Sequence, residues 1–172
     1  MEAYIELPVG ISRRAKWYKD LFSKFNIEPQ KSHFHITAVF FNRISNEESE
    51  KLKGLLKLAL KGFKEIDLDL GELKILQGKR EQYVYLEPFS GPIDSLISSI
   101  RACAEKVECD YRNDFVMHIT LGTLKEKVEI SKVEAEMKAK VSVPAFKIKI
   151  GKINLIERKT VHPRLGTWVL PQ

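Results

Sequence analysis

Phe34-His35-Ile36-Thr37 and Met117-His118-Ile119-Thr120 are two near copies of one tetrad, one in each half of the chain. On a β-strand, residues two apart share a face. His35 therefore stands beside Thr37 and His118 beside Thr120, while Phe34, Ile36, Met117 and Ile119 point into apolar packing. If the two strands are neighbours, two imidazoles and two hydroxyls converge on a pocket suited to an anion the size of a phosphate. Imidazole takes or gives a proton near neutral pH, and threonine hydroxyls donate to non-bridging oxygens, supplying charge stabilisation without a metal. A single His-x-Thr is ordinarily a half-buried polar pair. Its repetition points to a shared site.

The surroundings of the tetrads repeat as well. Tyr83-Val84-Tyr85-Leu86-Glu87-Pro88 resembles Tyr4-Ile5-Glu6-Leu7-Pro8, and each precedes a helical pattern and then a tetrad. A β-helix-β unit occurring twice indicates an internal duplication. The first helix is expected from an N-cap at Ser12, with Ala15, Trp17, Tyr18, Leu21, Phe22 and Phe25 on its apolar side. Residues 26–32 read as a loop and 33–41 as the first motif strand. Ser45 or Asn46 opens a second helix whose apolar face is Leu52, Leu55, Leu56, Ala59 and Leu60, with Glu47, Glu48 and Glu50 at its N-terminal end. Residues 66–76 read as one or two strands bent at Gly71, and a third helix runs from Pro92 to about Val107. Gly122 is expected to end the second motif strand, and a fourth helix spans 129–140. Residues 143–157 read as a strand pair broken near Gly151-Lys152, and a last strand covers 166–170. The organisation expected is a single domain over 1–172, with lobes of about 1–78 and 79–172.

At 172 residues and 44% apolar content, the chain can bury a full core. Its net charge of +6 and pI of about 9.2 favour an anionic partner such as RNA or a nucleotide. Cys103 and Cys109 show neither CxxC spacing nor a nearby histidine, so reduced thiols are expected rather than a zinc or redox motif. The N-terminus carries no export pattern and no apolar run reaches 18 residues, which leads to an expectation of a cytoplasmic protein with no membrane partner.

The tetrads, extended as Phe34-His35-Ile36-Thr37-Ala38 and Met117-His118-Ile119-Thr120-Leu121, resemble those of the two-histidine (2H) phosphoesterases, which include LigT-like 2'-5' RNA ligases and cyclic phosphodiesterases. The resemblance covers nearly the whole chain. It implies an α+β, bilobal fold in which two pseudo-two-fold related halves, each containing a β-α-β unit, bring antiparallel sheets to a central cleft. It also implies catalytic roles for His35 and His118 as general acid and base, phosphate-binding roles for Thr37 and Thr120, no cofactor, and a monomer acting on RNA or a nucleotide with a cyclic or 2',5' phosphodiester. Many relatives carry a basic residue directly after the second motif, whereas here Leu121-Gly122-Thr123 precedes Lys125. The third phosphate contact is therefore unassigned.

Other candidates surround this centre. Tyr4, Tyr83 and Tyr85 are expected on the cleft face, where stacking on a base contributes about 1–3 kcal/mol; half-buried sheet tyrosines are the plainer reading. Arg112 and Lys125, with Arg43, Lys31 and Arg164, lie in loops flanking the motifs. His33 shares a face with His35 at a spacing that also suits a metal, but no further carboxylate or histidine sits at a telling sequence distance. His33 is accordingly expected at the cleft rim, within reach of substrate, or as a buried polar residue, with no metal site. Two functions compete: an enzyme opening or forming 2',3'-cyclic or 2',5' phosphodiester bonds, and a catalytically idle RNA- or nucleotide-binding module of the same fold. Intact histidines in both motifs favour the enzyme, since binding alone could use Lys or Arg.

Overall fold

The structure, a computed structural model, describes residues 1–89, 91–114, 116–159 and 162–172. Its strands are β1 (Ala3–Pro8), β2 (Ile27–Pro29), β3 (His35–Arg43), β4 (Ile66–Gln77), β5 (Gln82–Pro88), β6 (Asp110–Arg112), β7 (Ile119–Leu124), β8 (Lys147–Ile150), β9 (Lys152–Glu157) and β10 (Arg164–Val169). Four α-helices accompany them among the described residues: α1 (Lys16–Lys24), α2 (Asn46–Ala59), α3 (Pro92–Glu105) and α4 (Ile130–Lys140). The fold is α+β, in two halves as expected. All strand pairings are antiparallel, in the order β10-β9-β1-β3-β7-β5-β4-β8, with β2 added to β7 and β6 added to β3.

The two motif strands are thus central neighbours, joined by the bridge between Ile36 and Ile119. Ile5, Leu7, Ile36, Val84, Leu86 and Ile119 are fully buried on the face away from the cleft, in one core with Leu21, Leu52, Leu56, Leu96 and Ile100 from the helices. Ser45 caps α2 in a reciprocal box with Glu48: the Glu48 amide donates to Ser45 Oγ (3.1 Å) and the Ser45 amide to Glu48 Oε2 (2.6 Å). Pro92 opens α3 where its missing N–H costs nothing.

Several elements depart from the pattern reading. Helix α1 starts at Lys16 with Ala15 at the N-cap, because Ser12 Oγ is taken up by the Arg14 amide (3.2 Å) in a local turn. Residues 26–32 are not simply a loop, since β2 lies within them. Three residues are too few to show alternation, and the partner of β2 is distant in sequence. Gly122 does not end the second motif strand, which continues to Leu124. A Cβ at Gly122 would lie 2.5 Å from the Glu28 carbonyl oxygen, so glycine is needed there for β2 to pack close against β7. Residues 143–157 do hold two strands, but these are not partners: β8 pairs with β4 and β9 with β1 and β10. The chain changes sides of the sheet at Gly151.

Candidate active site

Each motif strand is bulged at the same place. In the first half Glu6 pairs with Thr37 and Ile5 with Val39, skipping Ala38; in the second Tyr85 pairs with Thr120 and Val84 with Gly122, skipping Leu121. A bulge leaves one residue outside the ladder, and a buried carbonyl then needs another donor. Arg101 Nε donates to the Ala38 oxygen (3.2 Å), and the Gln30 amide to the Leu121 oxygen (2.8 Å). The extra residue also shifts the phase of the strand. After His-x-Thr the next cleft-facing position is three residues on rather than two, at Phe40 and Thr123, which pair with Tyr4 and Tyr83.

With Ile36 opposite Ile119 in an antiparallel pair, His35 comes opposite Thr120 and Thr37 opposite His118. Each imidazole faces the other motif's threonine, so the four side chains gather around the strand seam. Each ring is held in the same way. His35 Nδ1 lies 3.3 Å from the His33 carbonyl oxygen and His118 Nδ1 lies 2.6 Å from that of Val116. A carbonyl only accepts, so Nδ1 carries the proton and Nε2 is left with a lone pair for chemistry. Among the described residues, neither threonine hydroxyl is committed to a hydrogen bond.

Behind the imidazoles the halves differ. Glu6, paired with Thr37, is wholly buried (0% exposed). Its Oε1 accepts from Asn154 Nδ2 (2.9 Å) and lies 2.9 Å from His33 Nε2, and Thr167 Oγ1 donates in turn to Asn154 Oδ1 (3.0 Å). Its Oε2 has no hydrogen-bond partner and lies 3.6 Å from His35 Nδ1. The equivalent of Glu6 in the second half is Tyr85, whose ring meets His118 edge-on at 5.8 Å. Burial pushes the pKa of His35 below the ordinary histidine value; Glu6 opposes that shift, and the charges of His33 and His118 add to it. The influence of His118 on His35 places the two rings in one electrostatic neighbourhood.

Glu6 escapes a reading of linear spacing because it comes to His33 and His35 across a bulged strand pair. The expectation that no carboxylate stands near the His33-x-His35 pair is corrected accordingly: one donor atom from each of Glu6, His33 and His35 lies within 4.8 Å of the other two. These are the residues that could hold a metal ion.

The remaining candidates divide. Tyr4 stacks on His35 (5.8 Å between centroids) and lines, with His33, Thr37, Phe40, Arg158 and Arg164, a cavity of about 570 Å³ beside the first motif. Arg112 and Arg158 both lie over the Phe40 ring, at 5.1 and 5.6 Å. Phe40 and Arg158 are additions that the sequence reading did not single out; a strand position in bulge phase and a charge following β9 give no local signal. Tyr83 is turned toward the β4–β5 hairpin, its hydroxyl donating to Glu81 Oε2 (3.2 Å). Lys125, with Thr123, Lys79 and Arg80, lines a second cavity of about 620 Å³. Lys31 pairs with Glu28, and Arg43 lines a separate cavity with Ser45, Glu48 and Asp110, so neither joins the centre. No helix among the described residues is long and apolar enough to cross a membrane.

A family model described as the 2'-5' RNA ligase superfamily matches residues 12–162. No curated protein sequence matches the chain. Solved structures with the same fold include TT0787 of Thermus thermophilus (TM-score 0.71, 17% identity, covering 99% of this chain and 98% of that one) and Escherichia coli LigT complexed with NADP+ (0.64, 19%, 99% and 98%). The PDE domain of MHV ns2 is a further one (0.55, 11%, 98% and 97%). LigT has also been solved with ATP, with 3'-AMP and with phosphate.

Proposed function

The chain belongs to the 2'-5' RNA ligase superfamily, and from that premise we propose that it is a phosphoesterase acting on 2',3'-cyclic or 2',5'-linked phosphodiesters of RNA ends or nucleotides. The observation that carries this reading is the doubled His-x-Thr in which each Nδ1 is fixed on a carbonyl and each ring faces the other motif's threonine.

The phosphorus sits between the motifs, with Thr37 and Thr120 donating to its non-bridging oxygens. In hydrolysis His35 Nε2 takes a proton from the attacking water while His118 protonates the leaving ribose oxygen. The same two groups in exchanged roles serve the reverse, bond-forming direction. The assignment to His35 rests on its surroundings. Burial disfavours its charged form before reaction, and the Glu6 carboxylate 3.6 Å behind Nδ1 steadies the imidazolium that forms when the proton arrives. Tyr4 and Phe40, with Arg158 and Arg164 nearby, offer rings for a base and charge for a phosphate on the same side. That LigT, which has this fold, has been solved with ATP, 3'-AMP and phosphate supports a nucleotide as ligand.

The test is turnover of 2',3'-cyclic mononucleotides and 2',5'-linked dinucleotides by purified protein with EDTA present. Release of a nucleoside monophosphate that disappears in His118→Ala is the expected result. Absence of turnover on both classes, with wild type folded, would overturn the reading in favour of a module that only binds.

A further inference from the structure

The first half carries a pair of side chains that the second half lacks. His33 and Glu6 stand beside His35 in the fold, and the equivalent positions in the second half, Val116 and Tyr85, offer no comparable ligand pair although His118 is anchored in the same way. Whatever the pair adds is not needed to hold a motif histidine.

We propose that Glu6, His33 and His35 form a binding site for a divalent first-row transition-metal ion, zinc foremost, whose occupancy silences His35. Two imidazoles and one carboxylate are the donor set that borderline ions prefer. One donor atom from each residue already lies within 4.8 Å of the others. The two Glu6 oxygens lie 2.9 Å from His33 Nε2 (Oε1) and 3.6 Å from His35 Nδ1 (Oε2), to either side of the separation of about 3.3 Å between tetrahedral donors at bonds of about 2.0–2.2 Å, and His33 is half exposed at the rim.

An independent observation points to a ligand at this place. Glu6 is fully buried and its Oε2 is left without a hydrogen-bond partner, aimed at His35. A buried, unpaired carboxylate oxygen is costly, and a dication would satisfy it. Glu6 is moreover held by Asn154, which is held by Thr167, the kind of outer hydrogen bonding that orients metal ligands. Arg158, on the wall of the same cavity, is turned toward Glu2 (3.3 Å) and the Phe40 ring.

Coordination at His35 Nδ1 shifts the neutral ring to its other tautomer: its single proton leaves Nδ1 for Nε2, the nitrogen facing the substrate, which can then no longer accept one from water. The binding site stands on the three side chains alone; only the silencing rests on the hydrolytic reading above.

The experiment uses the full chain stripped with chelator and desalted. Co²⁺ is added as a spectroscopic probe, and Zn²⁺ affinity is read by competition with a chromophoric chelator. The expected result is one equivalent bound, with visible d–d bands of four-coordinate cobalt. His33→Gln, a rim change that leaves the core intact, should weaken binding at least tenfold and abolish the bands, while His162→Gln, in the lining of the same cavity but outside the cluster, should leave both unchanged. With a substrate that wild type turns over, Zn²⁺ should inhibit in proportion to occupancy. No stoichiometric binding, or binding that survives His33→Gln or depends instead on His162, overturns the site. Full turnover at saturating Zn²⁺, with binding that His33→Gln removes, overturns the silencing. Because binding is read without substrate, the site can fail or stand separately from the proposed hydrolysis.

Discussion

The two halves present the same tetrad on the same bulged strand pair, yet one histidine has a buried carboxylate behind it and the other the edge of a tyrosine. Glu6 and Tyr85 occupy equivalent positions, each paired with its motif threonine. In the proposed reaction two pseudo-symmetric histidines act on one phosphate, and a single proton relay needs them in opposite states. The exchange of Glu for Tyr is where the sequence breaks the symmetry that the fold imposes. That difference generates predictions of decreasing size.

The largest effect is expected from His35→Ala and His118→Ala, each lowering kcat by on the order of 10²-fold or more through loss of a general base or acid. The comparison sharpens when the leaving group is varied. On an aryl nucleotide ester, whose phenolate departs without a proton, His118→Ala should recover most of its activity and His35→Ala should not. The reverse pattern would exchange the assigned roles.

Next in size, Glu6→Gln should lower kcat by about 10-fold, the scale of about 1.4 kcal/mol for one carboxylate charge 3.6 Å from the imidazolium it steadies. Tyr85→Phe, at the equivalent position, should change it by less than about threefold. Equal losses at the two positions would show that the halves are functionally alike after all.

Thr37→Val and Thr120→Val each remove one donor to the phosphate while proton transfer survives. A net cost of about 0.5–1.5 kcal/mol corresponds to a loss of roughly two- to tenfold in kcat/KM. The two variants should match one another, since here the halves are equivalent. A loss as large as that of the histidine variants would mean that a threonine moves protons.

The smallest effect is a displacement along the pH axis. A base works only when neutral, so activity falls as pH drops through its pKa. Burial holds the pKa of His35 below the ordinary histidine value, and the acid limb of a bell-shaped kcat/KM profile should lie correspondingly low. Glu6 opposes that lowering, so Glu6→Gln should move the acid limb to still lower pH while reducing the plateau. A limb that moves upward would contradict the contact between Glu6 and His35.

Much of this was legible in the sequence because it is local and repeated. Two His-x-Thr tetrads, each preceded by a Tyr-rich strand and one helix, are enough to place His35, Thr37, His118 and Thr120 at the centre of a duplicated fold. What was not legible depends on long-range register. Glu6 reads as an ordinary charged residue on an alternating strand until the bulge at Ala38 and the neighbouring strand put it under His33 and His35. Gly122 reads as a strand end because the close approach of β2, which requires the glycine, comes from residues far away in the chain. Strands β8 and β9 read as a broken strand pair because nothing in a short apolar alternation says that its two members join opposite sides of the sheet.

The short strands β2 and β6 have one further implication. Each lies just ahead of a motif strand, and each pairs not with that strand but with the motif strand of the other half: β2 with β7, β6 with β3. β9 and β10 likewise return from the end of the chain to complete the β1 side. This is reciprocal strand exchange of the kind that links domain-swapped dimers. Either half alone would leave its motif strand without the short strand that the other half supplies, so each half depends on the other for its completed sheet. A chain cut in the β4–β5 turn should accordingly yield fragments that remain unfolded apart and regain structure only when mixed.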